Sequence, residues 1–156
     1  MEDGRVFKVL LVDHRSADDS LIQRLLAEPS ENCFQFNRVS TYEEAIYLVR
    51  FKQWDAVLVN QDFGSHPGIE LIHHIRLWSR QIPLILLSDA YDDQLEYKAR
   101  KVGASDYYTK GSITLSVLNA LIAANPNRPT GKRRTIVLPR LLRFWGQRVP
   151  HHSESQ

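Results

Sequence analysis

Cysteine is nearly absent from this chain: Cys33 is the only one in 156 residues. A single thiol excludes an internal disulfide framework and fits a reducing compartment. Histidines occur as the adjacent pairs His73–His74 and His151–His152, not at the spacing that places two ligands on one helical face, so no metal site is expected. Signals for export are missing as well. Met1 is followed by Glu2 and Asp3, the wrong charge for a signal peptide. The apolar run at residues 9–12, the longest in the N-terminal half, is far too short to span a bilayer. No glycine-rich phosphate loop and no nucleophile elbow occurs, which argues against the common α/β enzyme classes. These absences point to a cytoplasmic protein that is not an enzyme.

What is present suits one folded domain with an appendage. Apolar residues make up 43% and charged residues 24%, enough of each to bury a core and keep a polar surface. The net charge of +2 is unevenly spread. Residues 127–156 hold seven of the 20 Lys/Arg but one of the 18 Asp/Glu, so this tail carries about +6 and the body about −4. The expected division is a domain at 6–124 and a basic tail at 125–156.

Along the body, short β-rich runs alternate with helical patterns. Residues 7–12 are almost all apolar, as in a strand of a parallel sheet covered on both faces. Leu21, Ile22, Leu25 and Leu26 follow the helical period over 17–28, with Ser16 as its N-cap. Phe34, Phe36 and Val39 mark a second strand. The capping-box pattern from Ser40 to Glu43 opens a helix with Ala45, Leu48 and Val49 inward. Residues 56–59 form a third strand, followed by a turn-rich loop at 60–68 and a helix with Ile69, Ile72, Ile75 and Trp78 inward. Residues 83–87 are strand four. Leu95, Ala99 and Val102 mark helix four, closed by Gly103. Residues 106–109 read as strand five and 113–124 as helix five, after which Pro126 and Pro129 break the pattern. Five such repeats predict an α/β fold with a doubly wound parallel sheet.

In open α/β sheets the chemistry gathers at the carboxyl ends of the strands. The residues there are Asp13 and His14 after strand one, Asn60 and Asp62 after strand three, Ser88 and Asp89 after strand four, and Lys110 after strand five. An ammonium, a hydroxyl, carboxylates and an amide would converge on one shallow pocket.

On those residues the chain resembles the receiver domains of two-component response regulators over roughly residues 6–124. Asp13 and His14 align with the acidic pair after strand one. Asn60, with Pro67 and Gly68 farther along, aligns with the strand and loop around the phosphate-accepting aspartate. Ser88 matches the switch hydroxyl, Tyr107 the switch aromatic and Lys110 the pocket lysine. The resemblance implies a flavodoxin-like (βα)5 sheet of strand order 2-1-3-4-5, and a role in signal transduction. It also implies signalling proteins as partners, bound at the face of helix 4, strand 5 and helix 5.

Departures from the family pattern change the expected chemistry. A carboxylate can attack phosphorus to form an acyl phosphate, whereas the amide of Asn60 is a poor nucleophile. Magnesium prefers carboxylate oxygens, and His14 stands where the family has its second acid. Gly111 replaces the proline usual after the lysine, which puts the family's cis peptide there in doubt. The expectation is therefore a phosphorylation-independent pseudo-receiver without metal or cofactor, in which Lys110 pairs with Asp13 or Asp62. An acceptor displaced to Asp62 is the alternative within the family. Tyr91, Tyr97 and Tyr107 are candidate partner-facing aromatics, and a homodimer is a further option.

The tail mixes Leu141, Leu142 and Trp145 with Arg140 and Arg143 after Pro139, and Gly146 limits any helix to about two turns. It is too small for a helix-turn-helix. Its competing readings are docking on the body, binding an acidic partner surface, or contact with nucleic acid or anionic membrane, the last with the body as a dimerisation module.

Overall fold

The computed structural model describes residues 5–14, 20–63 and 66–125. The expected N-cap at Ser16 and the whole tail from 126 onward lie outside the described residues.

Five parallel strands form the sheet: β1 (Val6–Val12), β2 (Cys33–Val39), β3 (Ala56–Asn60), β4 (Leu84–Ser88) and β5 (Asp106–Thr109). Their order is β2-β1-β3-β4-β5, so β3 lies at the centre, beside β1 and β4. The helices are α1 (Ser20–Leu26), α2 (Tyr42–Phe51), α3 (Gly68–Arg76), α4 (Asp93–Val102) and α5 (Leu115–Ala123). An antiparallel pair of two-residue segments, Asp62–Phe63 with His66–Pro67, sits in the loop between β3 and α3.

Why these runs become strands is visible in where successive side chains go. Leu10, Val12, Val57, Val59, Leu84 and Leu86 enter the layer that also holds Ala45, Leu48 and Val49 of α2, Leu71, Ile72 and Ile75 of α3 and Ala99 of α4. Their neighbours Val9, Leu11, Ala56, Leu58, Ile85 and Leu87 enter the opposite layer with Ile22, Leu25, Leu118 and Ile122. A strand buried on both faces must be apolar at both parities, and period-two alternation disappears from its sequence. Burying each such side chain contributes roughly 1.5–3 kcal/mol before entropy is counted.

Helix ends follow local chemistry. Gly103 caps α4 with φ 111°, in the left-handed region that favours glycine. Asp92 caps its start by accepting from the N–H groups of Gln94 and Leu95. The α2 cap is one residue later than the sequence pattern suggests: Thr41, not Ser40, accepts from Glu44 N. Both registers fit S/T-x-x-E, so the pattern alone does not choose between them. Arg76 was not singled out by sequence, yet it donates to Gly103 O (2.7 Å), Ile82 O (2.7 Å), Ser79 O and Ser105 Oγ, tying α3 to the turn after α4. Its burial holds the guanidinium below its ordinary pKa.

Candidate functional site

Asn60 is the last residue of β3, one position beyond the expected strand end, and is paired in register with Leu87 of β4. It is 1% exposed. Its side-chain Nδ2 donates to Asp13 Oδ1 at 3.1 Å and to the Asp62 main-chain oxygen at 3.1 Å. A backbone carbonyl can only accept, so the atom facing it must be the amide nitrogen. Asn60 thus acts as a donor at a position where a carboxylate could only accept.

Asp13 follows β1 and is 4% exposed. One of its oxygens takes the Asn60 amide; the other lies 3.8 Å from Lys110 Nζ. Lys110 also lies 3.4 Å from Asp89, which is largely exposed. The sequence offered Asp13 or Asp62 as its partner, and the structure selects Asp13. Asp62 presents its main-chain carbonyl to the pocket instead, accepting from Asn60 and meeting His14 Nδ1 at 3.0 Å. For that last contact to be a hydrogen bond, His14 must carry its proton on Nδ1. His14 therefore fastens the β1 end to the loop after β3.

Ser88 and Tyr107 form the other half of the site. Their hydroxyl oxygens are 2.6 Å apart, and Ser88 also donates to Ala90 O at 2.7 Å. Tyr107 OH accepts from Asp92 N at 3.1 Å, so the same phenol touches the residue that caps α4. Tyr107 is 5% exposed and packs in the α2–α4 layer, while Tyr108 joins the other. The expectation that Tyr107 lines a partner surface is therefore wrong. Odd and even residues of β5 face opposite layers, and Tyr107 enters the one covered by α2, α3 and α4. Tyr91 and Tyr97 are exposed, at 62% and 65%.

Loop geometry brings these groups together. Gly68 opens α3 against the end of β3: a Cβ there would lie 2.5 Å from Asn60 O. Gln61 supplies the cap that Pro67 lacks, its Oε1 accepting from Ile69 N at 2.9 Å. No peptide bond among the described residues is cis.

The family resemblance implies a magnesium ion, and the donor set does not fit one. The pocket offers the Asp13 carboxylate, an amide aimed N–H first at that same carboxylate, and an imidazole engaged with a carbonyl. A hard, octahedral cation needs several oxygen ligands. Among the described residues, no group of three or more His, Cys, Asp or Glu is arranged to hold a metal. No described helix is long and apolar enough to cross a membrane.

Comparison with known proteins gives this geometry a context. The family model described as the response regulator receiver domain matches residues 9–122. The chain is 25% identical over 103 residues to the cell cycle transcriptional regulator CtrA of Caulobacter vibrioides, covering 66% of this chain and 43% of that protein. It is 27% identical over 103 residues to the cell cycle response regulator CtrA of Brucella ovis, with the same coverage. It thus spans less than half the length of these curated relatives. A CheY-like receiver domain protein from Methanospirillum hungatei JF-1 matches with a TM-score of 0.65 at 17% identity, over 77% of this chain and 96% of that one. A two-component response regulator of the LuxR family from Aurantimonas sp. SI85-9A1 matches at 0.64 and 23% identity, over 92% and 99%. At such identities the structural likeness shows the fold.

Proposed function

The chain belongs to the response regulator receiver family, and we propose that it is a pseudo-receiver, a cytoplasmic module that regulates signalling by binding proteins without being phosphorylated. The observation that carries this reading is the Asn60 amide bonded to Asp13. The amide is no nucleophile toward phosphorus, and its N–H engages one oxygen of the Asp13 carboxylate. No catalysis is then required of the pocket, and its polar groups act as structural ties between strand ends.

Ser88 and Tyr107 support a domain held in a single state. In a two-state receiver, a ligand shifts the balance only by binding one state better. Here the Ser88 hydroxyl is engaged with Tyr107 and Ala90, and Tyr107 with the α4 cap. The α4–β5–α5 face, with Tyr91 and Tyr97 exposed on it, is the surface proposed for signalling partners.

Titration with magnesium and fluoroberyllate, a phosphoryl mimic that coordinates carboxylates, tests this by amide NMR. The resonances of Ser88, Ala90 and Tyr107 should stay where they are. Saturable shifts at these three residues would show that the pocket accepts a phosphoryl-like group after all.

A further inference from the structure

Helix α4 carries two unlike charge patterns. Toward β5 its charges satisfy one another: Arg100 Nη2 pairs with Glu96 at 3.1 Å and with Asp106 at 2.9 Å, and Glu96 accepts from Tyr91. Toward α3 they do not. Lys98 and Lys101 join no ion pair among the described residues, although Lys101 Nζ lies over the Tyr97 ring, 5.4 Å from its centroid. Both line an open groove of about 680 Å³ between α3 and α4, whose apolar lining is Tyr42, Ile69, Leu77 and Val102. His73 and His74 flank it, and Glu70 is its single carboxylate.

Two features suggest an occupant. Leu77, at the end of α3, is 72% exposed, and with Tyr42, Ile69 and Val102 it gives the groove one shared apolar lining, the kind of patch that marks a partner site where a lone exposed leucine would not. The groove is also cationic on a body whose sequence charge is about −4, so its lysines run against the prevailing sign. Lys98 and Lys101 stand three residues apart on one helical face, and carboxylates one turn apart on a partner helix can meet both. The seven cations of the chain's own tail would meet like charge here, and an apolar lining offers little to a sugar-phosphate backbone.

We propose that the α3–α4 groove docks an acidic amphipathic helix of a partner protein, with its apolar stripe on Ile69, Leu77 and Val102 and its carboxylates at Lys98 and Lys101. The proposal goes beyond the pseudo-receiver reading and holds whatever the fate of Asn60.

The probe is a fluorescein-labelled synthetic helix of about 15 residues, with leucines at i, i+3, i+4 and i+7 flanked by glutamates; a second version carries lysines in their place. Each is titrated with the 156-residue chain by anisotropy, with amide NMR to locate the contact. The glutamate peptide should bind more tightly, with shifts gathered at Leu77, Lys98 and Val102. The double variant Lys98→Glu, Lys101→Glu should weaken it about tenfold, from two exposed charge contacts, and should improve binding of the lysine peptide. That gain separates lost complementarity from a lost fold. Leu77→Glu, at an exposed position, should remove binding of the glutamate peptide. Equal binding of the two peptides, or shifts on another face, would overturn the proposal. So would groove resonances that move on Trp145→Ala without peptide, which would make the tail the occupant. A dimer abolished by Leu77→Glu would assign the groove to a second copy and overturn it equally.

Discussion

The side-chain amide of Asn60 donates to Asp13 Oδ1 at 3.1 Å, joining the ends of the two neighbouring strands β3 and β1 inside the sheet's mouth. Replacing Asn60 by aspartate removes the donor and sets two carboxylates against each other at about 3 Å, where both cannot stay ionised without cost. Asn60→Asp should therefore lose about 1–3 kcal/mol at neutral pH without divalent cations. The deficit should shrink in mild acid, as one carboxyl takes a proton and becomes a donor again. Denaturant titrations at the two pH values check this, and a variant as stable as the parent at neutral pH would mean the bond holds nothing.

The Tyr107 phenol meets Ser88 Oγ at 2.6 Å and Asp92 N at 3.1 Å within a nearly closed site. Tyr107→Phe should cost about 1–3 kcal/mol, since buried partners are left unsatisfied, and Ser88→Ala about 1 kcal/mol. The two losses should not add: a double-mutant cycle is expected to return a coupling of at least about 0.5 kcal/mol. Strict additivity would show that the hydroxyls act independently.

Gly68 is required by close approach, not by backbone angle. A Cβ would sit 2.5 Å from Asn60 O and 2.9 Å from Val59 Cγ1, and a backbone oxygen at the end of a central strand has little room to move. Gly68→Ala should destabilise by about 1–3 kcal/mol and shift the Asn60 amide resonances. An unchanged midpoint and an unchanged Asn60 would contradict the packing of α3 on β3.

The α4–β5 face carries a pH signature. Tyr91 is held up to about 12, first by its hydrogen bond to Glu96, and Glu96 is held below the usual carboxylate range, first by that bond and then by Arg100. A carboxylate with a depressed pKa supports the fold at neutral pH and loses that contribution as pH falls through its folded value; a phenol with a raised pKa supports it until pH climbs toward about 12. Tyr91→Phe should raise the pKa of Glu96, read from its side-chain carboxyl carbon by NMR. A titration curve that does not move would remove Tyr91 as the cause.

Much of this was legible in the sequence because burial on both faces leaves a plain mark. The apolar runs of β1, β3 and β4 marked strands and the glycine after α4 a helix end without coordinates, while the strand order came from the family resemblance. The pocket's polar groups Asp13, Asn60 and Ser88 were legible where those runs end, and Lys110 where it follows β5. What was not legible depended on rotamers and on contacts distant in sequence. That Lys110 reaches Asp13 and Asp89 rather than Asp62, that His14 bonds a carbonyl, and that Arg76 ties α3 to Gly103 are settled by loop paths that periodicity does not encode. The α2 cap was ambiguous because Ser40 and Thr41 both satisfy one pattern. The α3–α4 groove has no motif at all, being built from side chains of three helices.

The central claim is that the amide at the end of β3 closes this pocket to phosphoryl transfer. Intact-mass measurement of the full chain after incubation with magnesium and acetyl phosphate tests it most directly, beside the variant His14→Asp, Asn60→Asp as the reconstructed acceptor site. The account predicts an unchanged mass for the natural chain and a hydroxylamine-sensitive phosphoryl adduct on the variant. A hydroxylamine-sensitive adduct on the natural chain would contradict it, and its loss on Asp62→Ala would move the acceptor to Asp62.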